Sequence, residues 1–241
     1  MIHIPAPVSA LLHDLSTQLP TILGRNLVGV YLYGSLTQNA FDPARSDVDC
    51  LVVTKRELSE AQFRRVNSWL VLETAANSWT ERLQATFLIR DEVLTMGSRA
   101  CLYQFGRLTR CGSDGNPIVW MNVLDSGVTL FGPPAVSFVP EVTLEIMFNA
   151  LERELAYLRE EISRKPDSEW RDVPSYRAYA VHTLCRILYS LEHGTVASKP
   201  RAASWALAGP GEPWSDIIGQ ACSSDSTEVI PLSRILKGLS T

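Results

Sequence analysis

Hydrophobic residues in the first third of the chain follow two different patterns, one of helices and one of strands. Leucine and isoleucine recur at helical spacing from Ser9 to Leu23, and Gly24 then favours the end of a helix. Three short apolar runs follow, and each has the length and composition of a buried strand. They are Leu27 to Tyr33, Asp47 to Thr54 and Arg82 to Arg90.

A second amphipathic helix is predicted between the last two of these strands. Ser59 is a favourable N-cap, and the apolar face of the helix is expected to contain Phe63, Val66, Trp69, Leu70 and Leu72. Two strands, a helix and a third strand in close succession indicate a small α/β or α+β domain.

The pattern changes in the second half of the chain. Gly112 to Pro117 and Gly132 to Pro134 are interpreted as loops, and nearly every periodic segment after them is helical. The predicted helices are Thr143 to Ser163, Tyr176 to His193, Ser198 to Leu207, Trp214 to Cys222 and Val229 to Leu239. We therefore expect a two-domain α+β protein, with residues 1–130 forming the first domain and residues 131–241 a helical bundle.

Composition narrows the possible partners. The net charge of -4 argues against broad binding to a nucleic-acid backbone, which requires a basic surface. No apolar run approaches the roughly 20 residues that a membrane span requires, and the first residues lack the features of a signal peptide. Five cysteines without a C-x-x-C pair favour neither zinc nor a disulfide framework. We expect a cytoplasmic, monomeric protein that binds neither nucleic acid nor a membrane.

Two short motifs suggest chemistry. Gly34 and Ser35 follow the first strand, where a glycine allows the backbone to approach a ligand and a serine can donate to a phosphate oxygen. Asp47 and Asp49 open the second strand. Their i, i+2 spacing directs both carboxylates to one face, about 6.6 Å apart at the backbone, so that they could share a Mg²⁺ ion. Either motif alone is common in ordinary turns, whereas the combination favours a metal-bound nucleotide.

The segment GVYLYGSLTQNAFDPARSDVDCLVV, which contains both motifs, resembles the nucleotidyltransferase fold of DNA polymerase β and the kanamycin nucleotidyltransferases. It is more closely similar to the bacterial streptomycin/spectinomycin 3''-adenylyltransferases. Gly127 to Pro134 resembles the link between the two domains of that family. Thr183 to Ala206 is similar to the signature of its helical domain, so the resemblance covers nearly the whole chain.

The resemblance implies ATP as co-substrate and Mg²⁺ as cofactor. It assigns the triphosphate and metal to Ser35, Ser46, Asp47 and Asp49, with Arg186 and Lys199 reaching the phosphates from the helical domain. An arginine on an otherwise apolar helix face needs an anionic partner. That partner is either the nucleotide or an acidic residue of the protein. For Lys199, the alternative interpretation is an ordinary surface lysine.

One position departs from the family. A third carboxylate acts there as general base, and the matching residue in this chain is Gln84. An amide cannot accept the proton, and a positioned general base typically contributes about 10²–10⁴ in rate. Three interpretations remain: the protein binds nucleotide with little transfer, a base comes from elsewhere, or the glutamine was introduced to trap substrates.

The acceptor side also departs from the family. Polycationic aminoglycosides require carboxylates and aromatic faces. Trp170 and Asp172 offer both in the loop that precedes the predicted helix beginning at Tyr176. Asp172 matches an acidic residue of the streptomycin/spectinomycin enzymes that the chain resembles. In contrast, Tyr176 stands where those enzymes have a second acid, and Leu108 stands where they have a tryptophan. An ordinary solvated loop is the alternative interpretation.

Three functions follow from these observations. The leading hypothesis is transfer of AMP from ATP to a hydroxyl group of a small molecule, with an aminoglycoside antibiotic as the first candidate. The second is a nucleotide-binding regulatory or sensor homologue with little or no activity, which Gln84 favours. The third, adenylylation of a protein or tRNA, is less consistent with the resemblance of the helical domain and with the lack of a basic stripe.

Overall fold

The computed structural model describes residues 4–164, 174–209 and 214–223. The chain divides into two compact units, Met1–Val142 and Thr143–Thr241. This division falls after the boundary that the sequence placed between residues 130 and 131. Residues beyond the predicted boundary belong to the first unit because Phe131 ends a strand of its sheet and because Ala135 and Val139 lie in a core that they share with the strands of that sheet.

Within the described residues, the strands of the first unit are β1 (Leu27–Tyr33), β2 (Val48–Thr54), β3 (Leu83–Ile89), β4 (Met96–Gln104), β5 (Arg107–Asp114) and β6 (Val128–Phe131). They form one six-stranded mixed sheet in the order β5-β4-β3-β2-β1-β6. Strands β2 and β3 are parallel, and the other neighbouring pairs are antiparallel. The mixed sheet confirms the predicted α+β class.

Helices cover both faces of this sheet. Helices α1 (Ala6–Leu23) and α2 (Glu60–Ala76) pack on one face, against side chains such as Val48 and Cys50 of β2. Helix α3 (Pro117–Ser126) packs on the other face, where Trp120 contacts the alternate strand residues in a second core. Because successive strand residues point to opposite faces, the two cores use alternate positions of the same strands.

The ends of the first two helices agree with their sequence signals. Gly24 ends α1 with a positive φ of 54°. The Ser59 hydroxyl accepts from the backbone N–H of Gln62, and the Gln62 side chain accepts from the Ser59 N–H, which completes a capping box at the start of α2. The prediction for Leu72 was wrong, since its side chain is 71% exposed. Leu72 lies two residues, about 200° around the helix, from the buried Leu70.

Several elements of the first unit were missed at the sequence level. Strands β4 and β5 form a hairpin, and the segment interpreted as a loop at Gly112 to Pro117 contains the end of β5 and the start of α3. The loop proper is limited to Gly115 and Asn116. The Asn116 side chain accepts from the Ile118 N–H and caps α3, so Asn-Pro before an apolar run was the available signal.

The second unit is helical in its described part, which confirms the predicted helical domain. Its helices are α4 (Leu144–Arg164), α5 (Pro174–His193), α6 (Lys199–Leu207) and α7 (Ser215–Cys222). Their shared core contains Leu158, Val181, Ala203 and Ile217. The helix predicted at Val229 to Leu239 lies outside the described residues. No helix in the described ranges is long and apolar enough to cross a membrane.

Candidate functional site

The strand register brings three polar side chains of the first unit together. Asp49 lies in β2 directly opposite Gln84 of the parallel strand β3, and Asp47 comes two residues before Asp49, ahead of the first residue of β2. All three side chains are half-buried. Because positions i and i+2 share a face, the sheet places both carboxylates on one side, as the spacing predicted, and the register places the Gln84 amide on the same side.

Gln84 contacts one of the carboxylates directly. Its Nε2 donates a hydrogen bond to Asp47 Oδ2 over 2.9 Å. A hydrogen bond to a charged acceptor stabilises by about 1.5–3 kcal/mol when it is well made. The amide therefore orients Asp47, while it contributes neither negative charge nor a site that takes up a proton.

The turn after β1 lies against the other carboxylate. Gly34 has a φ of 79°, and a Cβ atom placed on it would lie 2.3 Å from Asp49 Oδ2. The position therefore requires glycine for its backbone conformation and for the space. The backbone N–H groups of Thr37 and Gln38 donate to the Gly34 carbonyl over 3.2 and 3.0 Å, which holds Ser35 within a tight 3₁₀ turn beside Asp49.

Ser46 takes part in the loop that leads into Asp47. Its hydroxyl oxygen accepts from the Asp42 N–H over 2.9 Å, and its own N–H donates to the Asp42 carbonyl over 2.8 Å. The structure therefore gives Ser46 a part in closing this loop. Its hydroxyl hydrogen can still donate, as the phosphate contact implied by the resemblance requires.

The donor set of this site fits a small hard cation. Mg²⁺ in nucleotide sites is typically bound through one or two carboxylates together with the phosphate oxygens of the substrate. Asp47 and Asp49 supply two carboxylates on one face. In the part of the chain that the structure describes, no group of three histidine, cysteine, aspartate or glutamate side chains could hold a metal ion by itself.

Cys50 follows Asp49 but points into the opposite core, where it is fully buried. Burial raises the pKa of the Cys50 thiol well above its ordinary value, and the negative charge of Asp49 raises it further. The thiol is consequently neutral near pH 7 and is part of the core rather than a nucleophile.

The remaining predicted residues belong to the second unit or lie outside the described residues. Arg186 is half-buried on α5, and its Nε atom is buried without a hydrogen-bond partner among the described residues. Lys199 is exposed and begins α6, whose N-cap is Ser198. Tyr176 lies in the first turn of α5, and Trp170 and Asp172 lie outside the described residues. An unsatisfied guanidinium nitrogen supports the prediction that Arg186 meets an anion.

Sequence reasoning missed one residue of this region. Arg82 was interpreted only as the start of a strand, yet its guanidinium contacts the loop before Asp47. No sequence signal marks a side chain whose partners are backbone carbonyls 39 and 36 residues earlier, because carbonyl groups are present at every position.

Comparison with known proteins follows the same two units. The family model described as a nucleotidyltransferase domain matches residues 14–100, and the one described as the C-terminal domain of aminoglycoside adenylyltransferase matches residues 137–228. A spectinomycin 9-adenylyltransferase from Campylobacter jejuni is 25% identical over 201 residues, covering 78% of this chain and 73% of the relative. A protein of the same name from Staphylococcus aureus is 26% identical over 201 residues, with 77% and 73% covered.

A solved structure extends the comparison to the fold. The crystal structure of spectinomycin adenyltransferase from Enterococcus faecialis with ATP and spectinomycin superimposes with a TM-score of 0.69, at 16% identity, over 96% of this chain and 99% of that chain. The sheet and the first family match define a nucleotidyltransferase, which is a class of enzymes. Within that class, the chain belongs to the aminoglycoside adenylyltransferase-like family, and the resemblance seen in the sequence is confirmed.

Proposed function

We propose that this protein transfers AMP from ATP to a hydroxyl group of an aminoglycoside-type antibiotic, with spectinomycin as the first acceptor to test. The observation that carries the proposal is the pair of carboxylates, Asp47 and Asp49, on one sheet face beside the Gly34 turn. The names of the relatives from Campylobacter jejuni and Staphylococcus aureus, and the ATP and spectinomycin in the neighbouring structure, support the choice of donor and acceptor.

In this proposal, Asp47 and Asp49 hold Mg²⁺, and the turn at Gly34 and Ser35 holds the triphosphate. The metal ion would supply charge neutralisation and Lewis acidity at the phosphate oxygens. Arg186 and Lys199 would bind phosphate oxygens from the helical unit, where guanidinium and ammonium groups are the usual partners of such oxygens. Acceptor binding is proposed for Trp170, Asp172 and Tyr176, which combine an acid with aromatic rings suited to a cation.

Gln84 cannot take the proton of the acceptor hydroxyl, because its side chain is an amide. Its Nε2 donates to Asp47 Oδ2, so the residue orients a proposed metal ligand and does not accept the proton. Transfer in this chain must therefore proceed without a base at position 84. A base from elsewhere, such as an amine of the acceptor or a carboxylate of the helical unit, would have to take the proton.

A second function is favoured by the same residue. A nucleotide-binding homologue with little transfer would keep both carboxylates and dispense with the base, which is the arrangement at Asp47, Asp49 and Gln84. The two functions share ATP binding and differ in turnover. Cytoplasmic location, a monomeric state and the absence of nucleic-acid substrates remain predictions from the sequence.

Two measurements separate these functions. Calorimetry with ATP, with and without Mg²⁺, is expected to show metal-dependent binding. Release of pyrophosphate is then followed with a panel of aminoglycosides that includes spectinomycin. Release that requires one acceptor supports the transferase, whereas binding without release under every acceptor supports the sensor. If ATP does not bind, both proposals are wrong.

A further inference from the structure

Arg82 links two parts of the first unit that are distant in sequence. It is the last residue of the 3₁₀ turn Ser78–Arg82, directly before β3. Its Nη1 donates to the Pro43 carbonyl over 2.7 Å, and its Nη2 donates to the Ser46 carbonyl. One planar guanidinium thus bridges both sides of the loop that leads into Asp47.

The loop that Arg82 holds is closed by its own hydrogen bonds. The Ala44 N–H donates to Asp42 Oδ1 over 2.9 Å, and the Arg45 N–H donates to the Asp42 carbonyl over 3.0 Å. The Asp42 N–H also donates to the Ser46 hydroxyl over 2.9 Å. These bonds hold the loop as a compact turn. Contacts that fix its two carbonyls therefore fix the whole turn and the position of Asp47 that follows it.

Arg82 is itself held in place by aromatic side chains. Its guanidinium carbon lies 4.3 Å from the centre of the Trp79 ring, and that ring packs on Phe41 with 5.6 Å between ring centres. Phe41 and Trp79 both pack against the main core of the unit. A guanidinium stacked on an aromatic face loses little further freedom when its donors bind.

The register of the parallel strands shows what this contact positions. Val48 pairs with Leu83, so Asp47 and Arg82 occupy matching places just before β2 and β3. Two residues beyond Arg82, Gln84 donates to Asp47 over 2.9 Å. Two contacts from β3 and the turn before it therefore restrain Asp47: Arg82 acts on its loop and Gln84 on its carboxylate.

We propose that Arg82 is a positioning residue that fixes the Asp47 carboxylate in the geometry needed to hold the metal of a Mg²⁺-nucleotide. This inference rests on the proposed function of Asp47. It assigns Arg82 no contact with the nucleotide. Its effect on the site is transmitted through the backbone of residues 43–46.

The test uses Arg82→Ala and Arg82→Lys in the full chain. Lysine keeps the charge but lacks the planar fork that reaches two carbonyls. Arg90→Ala is the matched control, because Arg90 lies just beyond the opposite end of β3 and its side chain is half exposed. Hydrogen exchange of the amides at residues 42 and 44–47 measures the loop without any ligand. Calorimetry measures the Kd for ATP at saturating Mg²⁺, and guanidinium ion is added back to Arg82→Ala.

Both Arg82 variants are expected to exchange the loop amides faster, with α1 unchanged, and the affinity for Mg²⁺-ATP is expected to fall about 10- to 100-fold. Guanidinium ion is expected to restore part of the affinity of Arg82→Ala, and Arg90→Ala to match the parent protein. Unchanged loop exchange would overturn the contact, and faster exchange with unchanged affinity would overturn the positioning role. If the parent protein itself fails to bind ATP, the proposed function is wrong, whereas the exchange result still decides whether Arg82 holds the loop.

Discussion

Replacement of Gln84 by glutamate changes both the charge and the hydrogen bonding of the candidate site. The amide Nε2 donates to Asp47 Oδ2 over 2.9 Å, and a carboxylate in its place would oppose Asp47 with like charge. At a separation of about 4 Å, two charges repel by about 1 kcal/mol in water and about 4 kcal/mol at an effective dielectric constant of 20. Loss of a hydrogen bond to a charged group adds about 1.5–3 kcal/mol.

Gln84→Glu is therefore expected to unfold at a lower temperature than the parent protein in metal-free buffer. A cation bound between the carboxylates removes much of the repulsion, so Mg²⁺ should raise the unfolding midpoint of the variant more than that of the parent. With ATP and an acceptor present, the new carboxylate can accept the hydroxyl proton. We expect the rate of pyrophosphate release to rise by about 10²–10⁴.

Gln84→Met separates the two effects, since methionine has a similar length and has neither an amide nor a carboxylate. It should lose stability with no recovery specific to Mg²⁺ and should not gain rate. The assays are thermal unfolding over a Mg²⁺ series and pyrophosphate release with the aminoglycoside panel. Equal rates for the glutamate variant and the parent would refute the idea that position 84 lacks the general base. An equal response to Mg²⁺ would refute the proposed closeness of the three side chains to the metal.

Three further substitutions test separate parts of the first unit. Asp47→Asn should abolish Mg²⁺-dependent binding of ATP in calorimetry, because it removes one of two carboxylate ligands. Gly34→Ala should lose about 1–3 kcal/mol of stability, because alanine is strained at the φ of 79°. It should also lose Mg²⁺-dependent ATP binding, because the added methyl group would lie 2.3 Å from Asp49 Oδ2. Gly24→Ala is its control, because Gly24 also has a positive φ, of 54°, but a methyl group added there would contact no other part of the protein within 4 Å. This variant should lose stability in urea unfolding but still bind ATP. Phe105→Asn should stabilise the protein by about 1 kcal/mol, since asparagine tolerates the positive φ of 51°.

Contrary results would have specific meanings. ATP affinity unchanged in the Asp47 variant would exclude the proposed coordination. Equal ATP binding by the Gly34 and Gly24 variants would show that the turn does not need to approach Asp49. A loss of stability in the Phe105 variant would show that the exposed phenylalanine makes contacts that outweigh the strain of its backbone.

The first strand and the carboxylate pair could be predicted from the sequence because local signals decide both. Strand β1 has the predicted bounds, Leu27 to Tyr33. The i, i+2 rule placed Asp47 and Asp49 on one face whatever the pairing of the strand. Their neighbour Gln84 required the resemblance, because the register between β2 and β3 is a non-local property that no short segment encodes.

The β4–β5 hairpin shows why other parts could not be predicted. Its two-residue turn consists of Phe105 and Gly106, both at positive φ, with Gln104 paired to Arg107. Such turns are usually signalled by Asn-Gly or Asp-Gly. A phenylalanine at the first position hides the signal, and its side chain is 81% exposed, so hydrophobicity also pointed to the wrong environment.

Arg82 shows a stronger limit of the same kind. A pattern can identify a charged residue before a strand, but its partners are the carbonyl groups of Pro43 and Ser46, which are chemically identical to those of every other residue. Only the parallel pairing of β2 with β3 brings them within reach. The residues that bear charge in the candidate site were therefore recognisable from their types and spacing, whereas the residue proposed to position Asp47 became recognisable only from the fold.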